Sequence, residues 1–276
     1  MTPPDPIASH DGKSPRERIL VFVPMYDCET QIPRVIARFT PEVCALIDEI
    51  LVVDNRSKDG SVAACRTAME ALSGVRRTIV RNAENYNLGG SHKTAFDYAL
   101  AHGYDYAAII HGDDQGDIGD LVPHLRAGAH REVDCLLGAR FLKDSRLVNY
   151  SRFRTFGNHV FNAVFSAACG RRLHDLGAGL NCYDTRFLQS RFYLRFPNAL
   201  TFNYYMVLYM VAVKATFRFF PLTWREEDQV SNVRMVRQTL KMIDILRRYV
   251  FSREKFLTDW HQPPQDYSCE VLYSAG

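Results

Sequence analysis

The feature that most constrains this chain is the alternation of short apolar runs with amphipathic stretches between residues 19 and 141. Runs of β-branched residues with few polar interruptions are typical of strands that are buried on both faces of a parallel sheet. The stretches between them have helical spacing, and this alternation of strands with helices predicts βαβ units. The predicted strands are 19–26, 49–55, 106–112 and 133–141. The sequence therefore predicts an α/β fold with a mostly parallel central sheet flanked by helices.

Two helices are predicted between these strands. One follows Asp59 and Gly60, and the other has Ser91 as its N-cap and ends before Gly103. Beyond residue 142 the pattern predicts helices within 151–170, 201–214 and 234–251, and a strand within 216–224. No linker-like stretch separates residues 19–141 from the part of the chain that follows. We therefore expect one domain over 18–257, a disordered leader over 1–17 and a C-terminal tail of coil over 258–276.

Composition excludes several classes of protein. The 276 residues are 47% hydrophobic, which suffices for one large core or two modest ones, and a net charge of +3 gives no sign of a nucleic-acid partner. Seven cysteines without C-x-x-C spacing predict reduced, buried thiols in a cytoplasmic protein. The most apolar later stretch has ten residues, which is too short for a membrane span. We therefore expect a soluble protein, or one attached to the inner face of a membrane.

Polar clusters follow three of the predicted strands. In open α/β sheets, ligands bind at the carboxyl ends of the strands. A single cluster of this kind is more typical of a solvated loop or a helix cap, but three on neighbouring strands predict one shared crevice. The residues concerned are Pro24, Tyr26 and Glu29 after the first strand, Asp54 at the end of the second, and Asp113, Asp114 and Gln115 after the strand at 106–112.

The order of these clusters resembles the motifs of family 2 glycosyltransferases with the GT-A fold. The resemblance covers roughly residues 19–245 and lies in "VFVPMYDCE" for V-x-I-P-x-Y-N-E, "EILVVDNRSKDGS" for V-D-D-G-S-x-D-G-T, "NYNLGGSHKTAFDYAL" for N-x-G-x-x-x-A, "HGDDQGDI" for D-x-D-x-Q and "GARF" for G-S-R. Two further segments, "LHDLGAGLNCYDTRFL" and "PLTWREEDQVSN", are similar to the dolichyl-phosphate mannose synthase branch.

This resemblance implies a divalent metal cofactor, Mg²⁺ or Mn²⁺. Cleavage of a sugar–phosphate bond expels a nucleoside diphosphate, whose charge a cation neutralises as a Lewis acid. Asp113 aligns with the second Asp of the family motif and is the predicted metal ligand, while His111 stands in place of the first. An imidazole suits Mn²⁺ better than Mg²⁺. His111 as a metal ligand and as a histidine without that role both stay open, and Asp114 is a candidate replacement for the missing carboxylate.

The resemblance also implies a site for the nucleotide-diphosphate sugar. Asp54 aligns with the acid that contacts the base, and Arg140 follows the G-S-R position and is expected to contact phosphate. Lys93 is a second candidate for phosphate, or alternatively a solvated helix residue. The full set of predicted donor-binding residues is Pro24, Tyr26, Glu29, Asp54, Lys93, Asp114, Gln115 and Arg140.

The sequence gives fewer indications of the residues that would bind or activate the sugar acceptor. Transfer to a hydroxyl needs a general base, usually a carboxylate, whereas a lipid phosphate is already an anion and needs none. Asp175 matches the acidic position that precedes a glycine, here Gly179, in the mannose synthase branch. Arg225 and Glu227 belong to a charged run after the last strand, which is also typical of a solvated loop. With Asp113, these three residues complete the candidate catalytic set.

The expected function is an inverting glycosyltransferase that uses a nucleotide-diphosphate sugar and a polyprenyl phosphate or a soluble sugar or natural-product acceptor. A nucleotidyltransferase is an alternative, but such enzymes usually carry a glycine-rich basic loop after the first strand, where this chain has the acidic "PMYDCE". An inactive sugar-nucleotide-binding protein is another, prompted by His111. No G-x-G-x-x-G follows the first strand, which argues against a dinucleotide-dependent dehydrogenase. Nothing in the sequence indicates the oligomeric state.

The helix predicted near the end of the chain is both basic and amphipathic. Val236, Leu240, Ile243 and Val250 form one apolar stripe, and the basic residues around it include Arg237, Lys241, Arg247 and Arg248. A helix of this type can lie in an anionic membrane interface. Alternatively, its apolar stripe packs on the sheet and its charges face water. The sequence leaves both interpretations open.

Overall fold

The computed structural model describes residues 16–226 and 235–276, so residues 1–15 of the predicted leader and Glu227 lie outside the described residues. The strands are β1 (Ile19–Met25), β2 (Glu49–Asp54), β3 (Arg76–Asn82), β4 (Tyr106–Ile109), β5 (Cys135–Ala139), β6 (Arg146–Val148), β7 (Asn181–Asp184), β8 (Phe217–Pro221), β9 (Thr223–Arg225) and β10 (Cys269–Ala275). The α-helices are α1 (Ile32–Ala37), α2 (Pro41–Cys44), α3 (Ser61–Glu70), α4 (Asn87–Ala101), α5 (Val122–Arg126), α6 (Arg152–Cys169), α7 (Thr185–Leu188), α8 (Phe202–Ala212), α9 (Met235–Phe251) and α10 (Arg253–Thr258).

Eight of these strands form one twisted sheet in the order β10-β3-β2-β1-β4-β7-β5-β8. Neighbours β3, β2, β1 and β4 run parallel, and so do β5 and β8. Strand β7 is antiparallel to both of its neighbours, and β10 is antiparallel to β3 at the edge. The prediction of a mostly parallel central sheet flanked by helices is confirmed.

The strand β1 shows why an unbroken apolar run marks the centre of this sheet. Leu20 and Phe22 point into one hydrophobic core, and Val21 and Val23 point into the other. Successive side chains of a strand face opposite sides, so a strand covered on both faces must be apolar at every position. Helix α4 packs on the first face, and helices α1 and α3 pack on the second.

The end of the chain corrects one prediction. Residues 258–276 were expected to form a tail of coil, but Cys269–Ala275 is strand β10 and pairs with β3. The pairing joins segments that lie almost two hundred positions apart, as in Cys269 with Asn82. A local pattern does not reveal such a partner, and the side chains of β10 are mostly exposed, which weakens the alternation expected of a strand.

Three smaller findings concern the strand predicted within 216–224, the start of α4 and the possibility of a membrane span. The strand predicted within 216–224 is divided at Leu222 into β8 and β9, and β9 pairs with β6 in a separate two-stranded sheet. Helix α4 begins at Asn87, one turn before the predicted N-cap Ser91. Within the described parts of the chain, no helix is both long enough and apolar enough to cross a membrane.

Candidate active site

A cavity of about 820 Å³ opens at the carboxyl ends of β1, β4 and β5. The segment after β4 contributes His111, Asp113 and Gln115 to its wall, and the other predicted residues in the wall are Pro24 and Tyr26 from the end of β1 and Arg140 after β5. Carboxyl ends of neighbouring parallel strands meet at one edge of a sheet, which is why residues so far apart in sequence converge here. A second depression of about 860 Å³ between α1 and α5 contains none of the predicted site residues.

The ends of β1 and β4 lie close enough to share hydrogen bonds. Ile110 N donates to Phe22 O at 3.1 Å, and Gly112 N donates to Pro24 O at 3.2 Å. A Cβ atom at position 112 would stand 2.9 Å from Pro24 O, so only glycine permits this approach. The close pairing brings His111 and Asp113 to the same cavity as Pro24 and Tyr26.

The His111 imidazole packs closely against Gly179, and one of its ring nitrogens makes no hydrogen bond with the described residues. A Cβ at Gly179 would lie 2.8 Å from His111 Nδ1, so this glycine makes room for the ring. His111 Nε2 is buried and has no hydrogen-bond partner among the described residues. Burial lowers the pKa of His111, although the nearby Asp113 carboxylate opposes that effect. The ring is therefore neutral at pH 7 and can offer a lone pair to a cation.

The donor set around the cavity fits a cation that is shared with a substrate. The described residues contain no group of three or more His, Cys, Asp or Glu side chains that could hold a metal by themselves. His111 and Asp113 supply one nitrogen and a carboxylate on the same wall. Cations that act on phosphates usually take one or two protein ligands and complete their coordination with phosphate oxygens and water. The two side chains fit that arrangement.

Asp114 does not replace the missing carboxylate. Its Oδ2 accepts a hydrogen bond from Arg34 Nε at 2.6 Å, and its Oδ1 lies 2.5 Å from Arg38 Nη2. The side chain is buried and does not line the cavity. Arg38 also donates to Gly116 O at 2.7 Å. The predicted role of Asp114 in the site is therefore corrected: it anchors the loop behind the cavity and leaves Asp113 facing it.

Asp175 and Arg140 form a buried, bidentate ion pair. Arg140 Nε and Nη2 donate to the carboxylate at 2.7 and 2.8 Å, and the backbone amides of Arg140 and Gly177 donate at 3.0 Å each. Burial alone would raise the pKa of Asp175, but the Arg140 guanidinium and these hydrogen bonds lower it below its ordinary value. Asp175 does not line the cavity. The geometry therefore fits a residue that positions Arg140 and not the predicted catalytic residue.

Three more predicted residues lie beside the cavity and not in its wall. Asp54 is fully buried and its Oδ2 accepts from Arg81 Nε at 2.6 Å, so the predicted contact with a base is not available to it in this structure. Glu29 is exposed and accepts from Gly60 N at 3.0 Å. The backbone amide of Arg225 donates to Gln115 O at 2.8 Å, and its Nη2 lies 3.3 Å from Asp117 Oδ2. These contacts stabilise the loop that contains Asp113.

Lys93 requires a correction. It is fully buried, and its Nζ donates to two backbone carbonyls, Leu194 O at 3.2 Å and Phe196 O at 2.5 Å. Two side-chain oxygens complete the set, those of Asn198 at 2.9 Å and Tyr267 at 3.0 Å. Burial lowers the pKa of Lys93 to about 7, so it is poorly suited to be a permanent charge for a diphosphate. Neither predicted alternative, a phosphate contact or a solvated residue, is correct.

Lys93→Met is expected to lower the free energy of unfolding by about 2–3 kcal/mol, because the Leu194 and Phe196 carbonyls and the Asn198 and Tyr267 side chains lose the charged Lys93 donor while the apolar stem is kept. Urea denaturation measures this loss, and titration with a sugar nucleotide should show an unchanged donor affinity. The matched control is Lys143→Met at an exposed lysine, which should unfold like the wild type. Weaker donor binding at unchanged stability would restore the phosphate role.

The far wall of the cavity contains residues that the sequence analysis did not assign to the site. They come from α6 and the segment just before it, and from α8, β9 and α9, and they include Tyr150, Phe153, Asn158, Phe161, Asn203, Tyr204, Trp224, Leu240 and Met242. The Arg140 guanidinium lies 5.1 Å from the Trp224 ring centroid. Helix α8 is apolar around most of its circumference, so its sequence does not distinguish the face with Tyr204 from the face in the core. Among these residues, only Trp224 was linked to the site by the sequence, because the Pro221–Trp224 segment resembles a family motif.

The family model described as glycosyl transferase family 2 matches residues 20–194, which lie in the part of the chain that builds this cavity. The chain belongs to glycosyl transferase family 2. The eight-stranded mixed sheet is that of the GT-A fold, as predicted. The narrower resemblance to the dolichyl-phosphate mannose synthase branch stays a prediction.

Solved structures of two other proteins are similar to this family 2 chain. Glucosyl-3-phosphoglycerate synthase from Mycobacterium tuberculosis in complex with UDP is 15% identical, with a TM-score of 0.57 over 92% of this chain and 90% of that one. The same enzyme with Mn²⁺, UDP and glucosyl-3-phosphoglycerate is 14% identical, with a TM-score of 0.54 over 97% and 96%. TarS from S. aureus, residues 1–349, is 12% identical, with a TM-score of 0.53 over 88% and 70%. At these identities the likeness shows the fold alone.

Proposed function

We propose that this protein is a metal-dependent, inverting glycosyltransferase that moves a sugar from a nucleotide-diphosphate sugar to an acceptor. The observation that carries the proposal is the convergence of His111 and Asp113 with Pro24 and Tyr26 on one cavity at the strand ends. Membership of family 2 supports it, and so do the UDP and Mn²⁺ found in structures of a protein with the same fold.

Different residues of the cavity would bind the metal, the diphosphate and the nucleoside of the donor. Asp113 and His111 would hold Mg²⁺ or Mn²⁺, which when bound neutralises the charge of the leaving diphosphate. The Arg140 guanidinium adds a permanent positive charge to the wall, and Asp175 holds it in place. Pro24 and the exposed ring of Tyr26 would line the nucleoside side of the cavity. Gln115 lies between Asp113 and Arg140 in sequence and also lines the cavity.

For the acceptor we propose a lipid phosphate, such as a polyprenyl phosphate. The far side of the cavity carries apolar side chains suited to a hydrocarbon chain: Phe153, Phe161, Leu200, Leu240 and Met242. Arg154 lines the same region, where its Nη1 lies 2.6 Å from Glu226 Oε1. A phosphate is already an anion and needs no general base, which agrees with the engagement of Asp175 by Arg140. The rival is a soluble acceptor, because a protein of the same fold was solved with phosphoglyceric acid.

The test is release of nucleoside diphosphate from a panel of sugar nucleotides with Mn²⁺ or Mg²⁺, in the presence of a polyprenyl phosphate or a soluble sugar. We expect metal-dependent release that rises with the lipid acceptor, and a product of inverted anomeric configuration. Release of pyrophosphate would identify a nucleotidyltransferase instead. Tight donor binding without turnover on any acceptor would identify an inactive binding protein.

A further inference from the structure

Helix α6 carries large apolar side chains that the described parts of the chain leave exposed. Phe153 is 74% exposed and Phe156 is 67% exposed, and Val160 and Val164 are also exposed. Their spacing of three, four and four residues places them on one side of the helix. The opposite side packs in the core through Phe165. Most of the surface of Phe153 and Phe156, and about half of that of Val160 and Val164, is therefore not used to pack the domain.

Helix α9 carries a second stripe that the described residues leave exposed, which contradicts one of the two interpretations of its sequence. Leu240 is 62% exposed, Ile243 and Val250 are exposed, and Phe251 is 81% exposed. The core is contacted instead by Met242, Ile245 and Tyr249, on the other side of the helix. The alternative in which the predicted stripe packs on the sheet is therefore wrong for Leu240, Ile243 and Val250. The side chain of Val236 lies outside the described residues.

The two stripes meet at the mouth of the cavity. Phe153 of α6 and Leu240 of α9 both line it, although both are mostly exposed. The next positions around α6, Gly157 and Phe161, line the cavity more deeply. The stripes form one surface, here called the α6–α9 surface, which consists of Phe153, Phe156, Val160, Val164, Leu240, Ile243, Val250 and Phe251. It is continuous with the apolar wall of the site.

The charge around this surface is mainly positive. Lys241, Arg247 and Arg248 are exposed on α9, and Arg152 is exposed at the start of α6. Asp244 is the one acidic residue in the sequences of the two helices, and it pairs with Arg247 at 3.1 Å and Arg248 at 2.8 Å. Exposed aromatic and aliphatic residues with a basic border are the composition of a surface that inserts shallowly into an anionic interface.

We propose that the α6–α9 surface binds an anionic membrane and thereby holds the mouth of the cavity at the level of the lipid head groups. The inference that the membrane supplies the acceptor rests on the proposed function, whereas the binding itself does not. A second copy of this chain is a less favourable occupant. A two-fold contact would place the same basic border against itself.

Vesicle binding tests the proposal with the full-length chain. We expect sedimentation with phosphatidylglycerol vesicles at low salt, little with phosphatidylcholine vesicles, and release at high salt as charges are screened. The variant Phe156→Ser/Phe251→Ser changes two exposed rings outside the cavity, and Arg247→Gln/Arg248→Gln removes two charges. Each should weaken binding about tenfold or more. The matched control, Val271→Ser, removes an exposed apolar side chain at the far edge of the sheet and should bind like the wild type.

Three results would overturn the proposal: wild-type protein that ignores anionic vesicles at low salt, a Phe156→Ser/Phe251→Ser variant that binds as well as the wild type, or a dimer in sedimentation velocity that this variant abolishes. Metal-dependent release of nucleoside diphosphate is measured on the same preparations. Vesicle binding without any release would contradict the proposed function and leave the membrane surface standing. Release without vesicle binding would do the reverse.

Discussion

Asp113→Asn is expected to abolish metal-dependent turnover while leaving the fold intact. The Asp113 carboxylate lines the cavity beside His111, and an amide oxygen cannot supply the negative charge that holds a cation against a diphosphate. Loss of that cation should cost at least about 4 kcal/mol of transition-state stabilisation, or roughly a thousandfold in kcat. Rates of nucleoside diphosphate release and Mn²⁺ titration by calorimetry measure the two effects separately.

The neighbouring carboxylate offers a matched control for that substitution. Asp114→Asn changes a side chain that is bound by Arg34 and Arg38 and does not line the cavity. We expect it to lower thermal stability while Mn²⁺ affinity changes much less than in Asp113→Asn. The opposite pattern, with near-normal turnover in Asp113→Asn and lost metal binding in Asp114→Asn, would move the metal from Asp113 to Asp114.

Asp175→Asn is expected to lower the free energy of unfolding by about 3–5 kcal/mol, because it leaves the buried Arg140 guanidinium without its counter-charge. Denaturation in urea at pH 7 measures the loss. Turnover of the folded fraction should fall as well, since Arg140 loses the partner that aims it at the cavity. The matched control is Asp244→Asn, which breaks exposed pairs with Arg247 and Arg248 and should cost about 1 kcal/mol or less.

The pH dependence of Asp175→Asn follows from the sign of the shift. The pKa of Asp175 is lower in the folded protein than the unfolded value of about 3.9. The stabilisation is therefore complete above that value and is lost as the pH falls through the folded pKa. Wild type and variant should differ most near neutral pH and converge in strong acid. A variant with unchanged stability at pH 7 and no turnover would support the catalytic role that the family resemblance implied for Asp175.

Local patterns in the sequence determined the central strands and the family. Strand β1 is apolar at all positions because it is covered on both faces, and this property needs no knowledge of its partners. The polar residues after β1 and β4 could be assigned to one crevice because parallel strands end at the same edge. Of the residues singled out by that reasoning, Pro24, Tyr26, Asp113 and Gln115 line the cavity, and so do His111 and Arg140, which the family resemblance indicated.

The tertiary structure alone decided which charged residues face the cavity. Asp113 and Asp114 are adjacent and chemically identical. The Asp114 carboxylate, however, pairs with Arg34 and Arg38, which lie about 80 positions earlier, and it therefore does not face the cavity. Lys93 lies in a stretch that resembles a family motif, but its four oxygen partners come from residues 194–198 and from Tyr267. A charged side chain binds whatever the folded chain brings within about 3 Å of it, and sequence spacing does not encode that distance.

The same limit applies to α9 and to the end of the chain. The sequence of α9 shows an apolar stripe and basic residues, but only the packing of Met242, Ile245 and Tyr249 shows that Leu240 and Ile243 stay exposed. Strand β10 exists because β3 offers it an open edge. The period of a sequence determines which side chains share a face of a helix or strand. Whether that face is covered depends on segments far away in the chain, which meet it only after folding.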